Sequence, residues 1–325
     1  MPTRPLYHLR QSAKSAVLVA CGLTWLARWK LAGQASVLNF HGLFKDGTPT
    51  GVLDHTLHLP LSTFRAVCRH LAARYHVMPV VEMIHQLEAG HALPRNAVGI
   101  TFDDGHASNY QLAFPVLKEL GLPATFFLAT GFLDGTHPLW FQEVDSAFRA
   151  RGSTARQLFQ TLEHFKTLPD PQMRAEVAKL GPKAVGQAPT VTLPMNWDQV
   201  REMKASGLID FGGHTHTHPI LAQCTVEQQA EEIRKCRERI QTELGVSPVL
   251  FAYPNGRAAD FNADTQRLLA EHGFKAAFTM MCARLGAGDK PFALPRYGNP
   301  TSVLEARATA SGAFELVKRW RGGGA

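Results

Sequence analysis

Short apolar runs recur along the chain, and most are followed, after a polar turn, by apolar residues at helical spacing. The runs at 36–40, 97–102, 122–128, 208–213 and 249–253 have the length and side chains of buried strands, and 275–280 and 291–296 continue the series. Between them, 62–75, 81–89, 110–120, 197–206, 225–244 and 263–272 read as helices. In the first of these Phe64, Val67, Cys68 and Leu71 fall on one face, with Ser62 placed to cap it. Gly121 closes the helix over 110–120, and Thr225 with Glu227 and Gln228 marks a capped start near 225. Strand–helix alternation of this kind predicts a parallel α/β architecture.

Three segments break the rhythm. Residues 45–60, rich in Gly, Pro, Asp and His, read as a loop over the mouth of the fold. Residues 135–195 hold few β-type runs but helical patterns near 155–165 and 172–180, which predicts a helical insertion. Set at the strand C-termini, it would wall a cleft, where Trp140, Phe141 and Trp197 could stack on a sugar face or simply pack. The first 35 residues form a third unit: Arg4, Arg10 and Lys14 precede Ala16-Val17-Leu18-Val19-Ala20-Cys21, and Trp25, Leu26, Trp29 and Leu31 alternate with Arg28 and Lys30. A basic amphipathic helix over 12–32, on a membrane surface or on the barrel, accounts for this pattern. An export signal, with Leu18-Val19-Ala20-Cys21 as a lipoprotein-like box, is the alternative, although its apolar core is short. At the other end, 301–325 reads as a helix followed by a disordered tail from Gly322.

Chemistry concentrates in two places. Thr101-Phe102-Asp103-Asp104-Gly105 ends a strand, and His214-Thr215-His216-Thr217-His218 follows another about a hundred residues later. Adjacent residues of a strand point to opposite faces, but at a strand's end before Gly both carboxylates can reach one cleft. Two imidazoles and one carboxylate suit a divalent cation, and the spare carboxylate suits a base. A continued strand would align His214, His216 and His218, whereas a helical turn would align only His214 with His218. With Pro219 at the mouth of a helix, His214 and His218 are the favoured pair, and His216 is expected at the solvent or substrate rim.

The chain resembles the polysaccharide deacetylases of the NodB-homology type, carbohydrate esterase family 4. The resemblance rests on the runs at 101–105 and 213–221, on Phe251-Ala252-Tyr253-Pro254-Asn255-Gly256, and on Leu38-Asn39-Phe40-His41 and Leu294-Pro295-Arg296-Tyr297. It spans about 36–300 and implies a distorted (β/α)7-type barrel. It further implies that Asp104, His214 and His218 hold a divalent metal, usually zinc, with cobalt, nickel or iron as alternatives. Asp103 would be the general base, and Tyr253, Pro254 and Asn255 would line the oxyanion side, the Asn255 amide as donor. Two departures stand out. The family's third-motif Arg is replaced by Ala252, and the only His in the last third beyond the motifs is His272, in a helix. The likeness is therefore nearer the exopolysaccharide, poly-N-acetylglucosamine, deacetylase branch, which points to His41 as general acid and Arg296 as the substitute guanidinium.

Charge and cysteine content narrow the setting. A net charge of +7 favours anionic surroundings, yet no basic run interleaved with aromatics points to nucleic acid. Cys21, Cys68, Cys224, Cys236 and Cys282 are odd in number and form no Cys-x-x-Cys pair, which argues against a disulfide framework and for a reducing compartment. The expected location is the cytoplasm or the face of the cytoplasmic membrane. The sequence thus predicts a metal-dependent N-deacetylase acting on a polysaccharide or lipid-linked glycan. A glycan-binding pseudoenzyme and an O-acetyl esterase with the same metal site are the rivals.

Overall fold

The strands are β1 (Ser36–Phe40), β2 (Gly42–Phe44), β3 (His58–Pro60), β4 (His76–Val77), β5 (Ala97–Phe102), β6 (Ala124–Leu128), β7 (Ile209–Gly213), β8 (Leu250–Ala252) and β9 (Ala276–Phe278), in a computed structural model that describes residues 4–181, 189–320 and 322. β2 and β3 pair only with each other; the remaining seven form one parallel sheet in the order β1-β5-β6-β7-β8-β9, with β4 beside the start of β5. All six residues of β5 are buried, as a strand covered on both faces requires. Residues 294–297 then join the two edges. Leu294 N–H bonds Ala277 on β9 at 2.9 Å, and Tyr297 N–H bonds Val37 on β1 at 2.9 Å. The curled sheet is the distorted barrel that the resemblance implied.

Helices follow the strands in chain order: α1 (Arg4–Ala20), α2 (Leu23–Lys30), α3 (Leu61–Arg74), α4 (Val80–Glu88), α5 (Phe114–Leu120), α6 (Thr130–Leu133), α7 (Trp140–Ala150), α8 (Ala155–Phe165), α9 (Asp170–Lys179), α10 (Trp197–Ala205), α11 (Val226–Leu244), α12 (Ala263–Glu271), α13 (Val303–Ser311) and α14 (Ala313–Trp320). The core is aromatic: Phe102 stacks on Phe126 with centroids 4.5 Å apart, and Phe64 of α3 meets Phe40 edge-on at 5.3 Å. Between β6 and β7, α7–α9 close over a small core of their own, including Trp140, Val144, Phe148, Leu158, Leu162 and Phe165.

Several sequence expectations are corrected. The N-terminal segment is two helices, because Gly22 takes a left-handed conformation (φ 70°) that ends the first. Ser62 does not cap α3. It lies inside the helix, and its amide donates to the Asp46 carboxylate at 2.9 Å, so an acid from the preceding loop serves the helix start. That loop ends in β3, which pairs in parallel with β2 just ahead of the loop. Residues 291–296 are no strand: a 3₁₀ turn at Pro291–Ala293 precedes single bridges, since Pro291 and Pro295 lack the N–H a ladder needs. Pro219 stands in irregular chain ahead of a 3₁₀ turn at Leu221–Gln223 rather than at a helix mouth. The C-terminal segment is two helices broken at Gly312, and the tail expected to be disordered falls, Gly322 apart, outside the described residues.

Candidate active site

Parallel strands deliver their C-terminal ends to one rim. β1 ends at His41, β5 at Asp103 and Asp104, β7 at the histidine segment, and β8 at Tyr253-Pro254-Asn255. The backbone is strained there. Of five described non-glycine residues with positive φ, four are Asp104 (75°), Thr215 (67°), His218 (59°) and Asn255 (61°). Each such residue costs on the order of 1–3 kcal/mol and persists only where surrounding contacts enforce it.

The enforced geometry brings three donors together. Asp104 Oδ1 lies 3.4 Å from His214 Nε2 and 3.3 Å from His218 Nε2, and all three residues are buried. Among the described residues this is the one group of three or more His, Cys, Asp or Glu with ligand atoms mutually within 4.8 Å. His214 Nδ1 is 2.8 Å from the Ala252 carbonyl, which can only accept, so the ring's proton sits on Nδ1 and its Nε2 lone pair faces inward. His218 is fixed by its backbone: its N–H donates to Thr215 Oγ1 at 3.0 Å, and its carbonyl accepts from Trp140 Nε1 at 3.2 Å. On the far side of Asp104, His106 Nε2 lies 3.2 Å from Oδ2, which leaves Oδ1 for the two imidazoles. Burial alone would push the Asp104 carboxyl up, yet contacts with His106, His214 and His218 hold it well below the usual carboxylate range. Inward-facing lone pairs on three buried donors call for a cation, and one oxygen with two nitrogens fits a divalent one.

Asp103 is held apart from that group. Arg296 Nη1 and Nη2 donate to its two oxygens at 2.8 and 2.9 Å, and Asn39 Nδ2 donates to Oδ2 at 2.8 Å. Burial raises this carboxyl, but the Arg296 guanidinium and His214 more than reverse that, so it stays ionised. A carboxylate oxygen accepts about two hydrogen bonds, so Oδ1, with Arg296 as its one described donor, keeps a position for a proton. Replacing Arg296 by Lys, which lacks the fork, is expected to lower kcat/KM by at least about 10-fold. With the largest opposing influence weakened, burial pushes Asp103 up, and the acid limb of kcat/KM moves to higher pH. A profile unchanged in both respects would separate Arg296 from Asp103.

These groups open into a cleft of about 360 Å³. His41, Asp103, Asp104, His214, His218 and Asn255 form its floor, and Trp140, Phe141, Phe159 and Leu162 of the inserted helices its wall. Arg257 ties the two together through a two-pronged contact with Glu163 at 2.7 and 2.9 Å. Burial lowers the pKa of His41, whose Nδ1 has no described partner. The Asn255 N–H likewise has no acceptor among the described residues, whereas Tyr253 N–H is committed to Phe278 at 3.1 Å and Pro254 has none.

The profile of one family, described as polysaccharide deacetylase, matches residues 90–277, more than half of the chain. The chain belongs to the polysaccharide deacetylase family. YxkH of Bacillus subtilis (strain 168), assigned by name to the same family, is 34% identical over 226 residues, covering 69% of this chain and 60% of that protein. The poly-beta-1,6-N-acetyl-D-glucosamine N-deacetylase of Escherichia coli (strain K12) is 24% identical over 233 residues, covering 63% of this chain but 28% of its own. Thus the chain spans less than two thirds of these relatives. Among solved structures, Streptococcus pyogenes deacetylase PplD aligns with TM-score 0.62 at 19% identity over 85% of this chain and 98% of PplD. IcaB from Ammonifex degensii aligns with TM-score 0.60 at 23% identity over 86% and 98%. Both show the barrel fold.

Within the family pattern, the departures now have a spatial account. Ala252 is fully buried in β8, and its carbonyl orients His214; the guanidinium comes instead from Arg296 on the barrel-closing segment. His272 caps the end of α12 and does not line the cleft. His216, expected at the solvent or substrate rim, is half-exposed and outside the cleft lining, with Nδ1 2.9 Å from Thr130 Oγ1; the left-handed residues at 215 and 218 make the segment neither strand nor helix. Trp197 packs in the core, donates to Asp134 at 2.6 Å and is no sugar platform. Trp140 is buried and committed to the His218 carbonyl. Asn39, His106 and the Trp140 indole N–H are the positioning groups that the sequence reading missed. An Asn within the apolar run Ser-Val-Leu-Asn-Phe, and a His two residues after Asp104, were their available signals.

Proposed function

We propose that this protein removes the acetyl group from an N-acetylated sugar of a glycan, with a divalent cation, zinc by default, held by Asp104, His214 and His218. The observation that carries the reading is an ionised, unligated Asp103 beside a buried group of three cation donors. A cation so held would acidify water and draw electron density from the acetyl carbonyl. Asp103 Oδ1 takes the proton from the attacking water, and Arg296 on both oxygens with Asn39 on Oδ2 keeps the carboxylate aimed. The Asn255 N–H donates to the carbonyl oxygen as it gains negative charge. His41, on the cleft floor, protonates the sugar nitrogen as the C–N bond breaks. Acetate and a free amine leave.

Relatives named as N-deacetylases of poly-beta-1,6-N-acetyl-D-glucosamine favour an amide over an ester substrate. The test is acetate release from a panel of N-acetylated and O-acetylated oligosaccharides. Release confined to the O-acetylated members would overturn the N-deacetylase reading. His41→Gln is expected to lose about 10²-fold on amides and much less on an aryl acetate, whose leaving group needs no proton. Equal losses on both would remove His41 as the acid. A binding protein without turnover is disfavoured, since of its two supports, Ala252 in place of Arg and the missing late His, the first is offset by Arg296 on Asp103 and the second by His41 on the cleft floor.

A further inference from the structure

The terminal helices present an outward surface that neither the cleft nor the barrel uses. α1 and α2 pack on α13 and α14 through a small core that includes Leu18, Ala27, Leu31, Ala308, Ala313 and Leu316. Their other faces carry exposed large apolar side chains among basic ones. Trp25 is 71% exposed, Trp29 54% and Trp320 60%, whereas the chain's two other tryptophans are buried. Trp25 and Trp29 are four residues apart on α2 and so share one face. Val17 is 60% exposed beside an apolar groove of about 650 Å³ between α1 and α14, lined by Leu18, Phe314 and Val317 with Lys14 and Lys318.

The charge around this surface is predominantly positive. The first 35 residues, which hold α1 and α2, contain no Asp or Glu and include Lys14, Arg28 and Lys30. Lys14, Lys30, Lys318 and Arg319 are exposed, and the one acid of α14, Glu315, is paired with Arg319 at 3.5 Å. Arg28 is used internally, donating to Asn96 and to the Arg74 carbonyl at 2.8 Å. No described helix is long and apolar enough to cross a membrane.

We infer that this face docks on the interfacial region of an anionic lipid bilayer. Indoles settle where an apolar ring and a polar N–H can both be satisfied, at the headgroup boundary, and the lysines meet the lipid charge. A second copy of the chain fits less well, because it would set one cationic face against another. The docking surface also lies away from the cleft. α2 bonds Asn96, just before β5 begins, whereas Asp103 stands where β5 ends. The barrel therefore stands between lipid and active site, and the cleft faces glycan extending from the surface.

The test is sedimentation of the full chain with vesicles of phosphatidylcholine alone or with 30 mol% phosphatidylglycerol, at about 0.1 M and 0.5 M salt, where screening differs. Binding is expected to the anionic vesicles, weakened at the higher salt, with a blue shift of tryptophan emission. Trp25→Ser/Trp29→Ser/Trp320→Ser is expected to bind at least about 10-fold more weakly. Acetate release from a soluble oligosaccharide and the melting temperature should stay unchanged, since all three side chains are exposed. Lys14→Glu/Lys30→Glu/Lys318→Glu should abolish the preference for anionic lipid. Wild-type protein left in the supernatant with anionic vesicles, or a triple-Trp variant that binds as tightly as wild type, would overturn the inference. So would a wild-type dimer that the Trp substitutions dissociate without any vesicle binding.

Discussion

Asp103→Asn is expected to lower kcat/KM for acetate release by about 10²–10⁴-fold, the range for losing a positioned general base. The substitution keeps the side chain's shape but replaces one oxygen by an amide NH2 and removes the negative charge and the basicity. Because Asp103 contacts Arg296 and Asn39 rather than the three-donor group, cation binding should persist at close to the wild-type affinity. The structural cost is a buried Arg296 without its counter-charge, which is worth about 3–5 kcal/mol when one partner of such a pair is removed. Activity should therefore be compared well below the variant's melting temperature. Turnover within a few-fold of wild type would mean that another group takes the proton.

Asp104→Ala should have a still larger effect, because it removes a donor and the charge that the cation needs. Activity is expected to fall below detection and cation affinity by more than about 10²-fold, beyond what an outer-shell change costs. His106→Ala provides the comparison. It leaves all three donors in place and frees only the Asp104 Oδ2 contact, so a loss of about 10–100-fold in cation affinity is expected. His106→Gln, which can still donate toward Oδ2, should recover part of it. If the His106 variant binds the cation as tightly as wild type, the contact has no part in aiming Asp104.

The barrel strands β1 and β5–β9 and most helices were legible because the fold is regular where burial is regular, whereas the short β2, β3 and β4 were not. β5 reads as a continuous apolar run because it is covered on both faces, and Thr225 and Gln228, which form a capping box, mark the start of α11 to within a residue. What escaped depends on contacts between distant residues. Ser62 looks like a cap until Asp46, sixteen residues earlier, is seen to serve its amide. Residues 291–296 look like a strand, yet two prolines leave only single bridges that close the barrel.

The candidate site was legible through its motifs, and the pairing of Arg296 with Asp103 could be anticipated only as filling the place of Ala252. The choice of His214 and His218 over His216 came from a helical-turn geometry that the segment does not adopt. Left-handed backbone at Thr215 and His218 brings the same pair inward by a different route. Asn39 and His106 escaped because a buried polar side chain shows its purpose only when its partner is known.

The central claim is that one divalent cation, held by Asp104, His214 and His218, is required for deacetylation. Its most direct test is a zinc titration of the metal-stripped protein, following bound metal and acetate release together. Activity should rise from near zero and level off at one equivalent, and the same titration of His214→Ala should restore none. Full turnover by the stripped protein, or saturation with no gain in acetate release, would contradict the account.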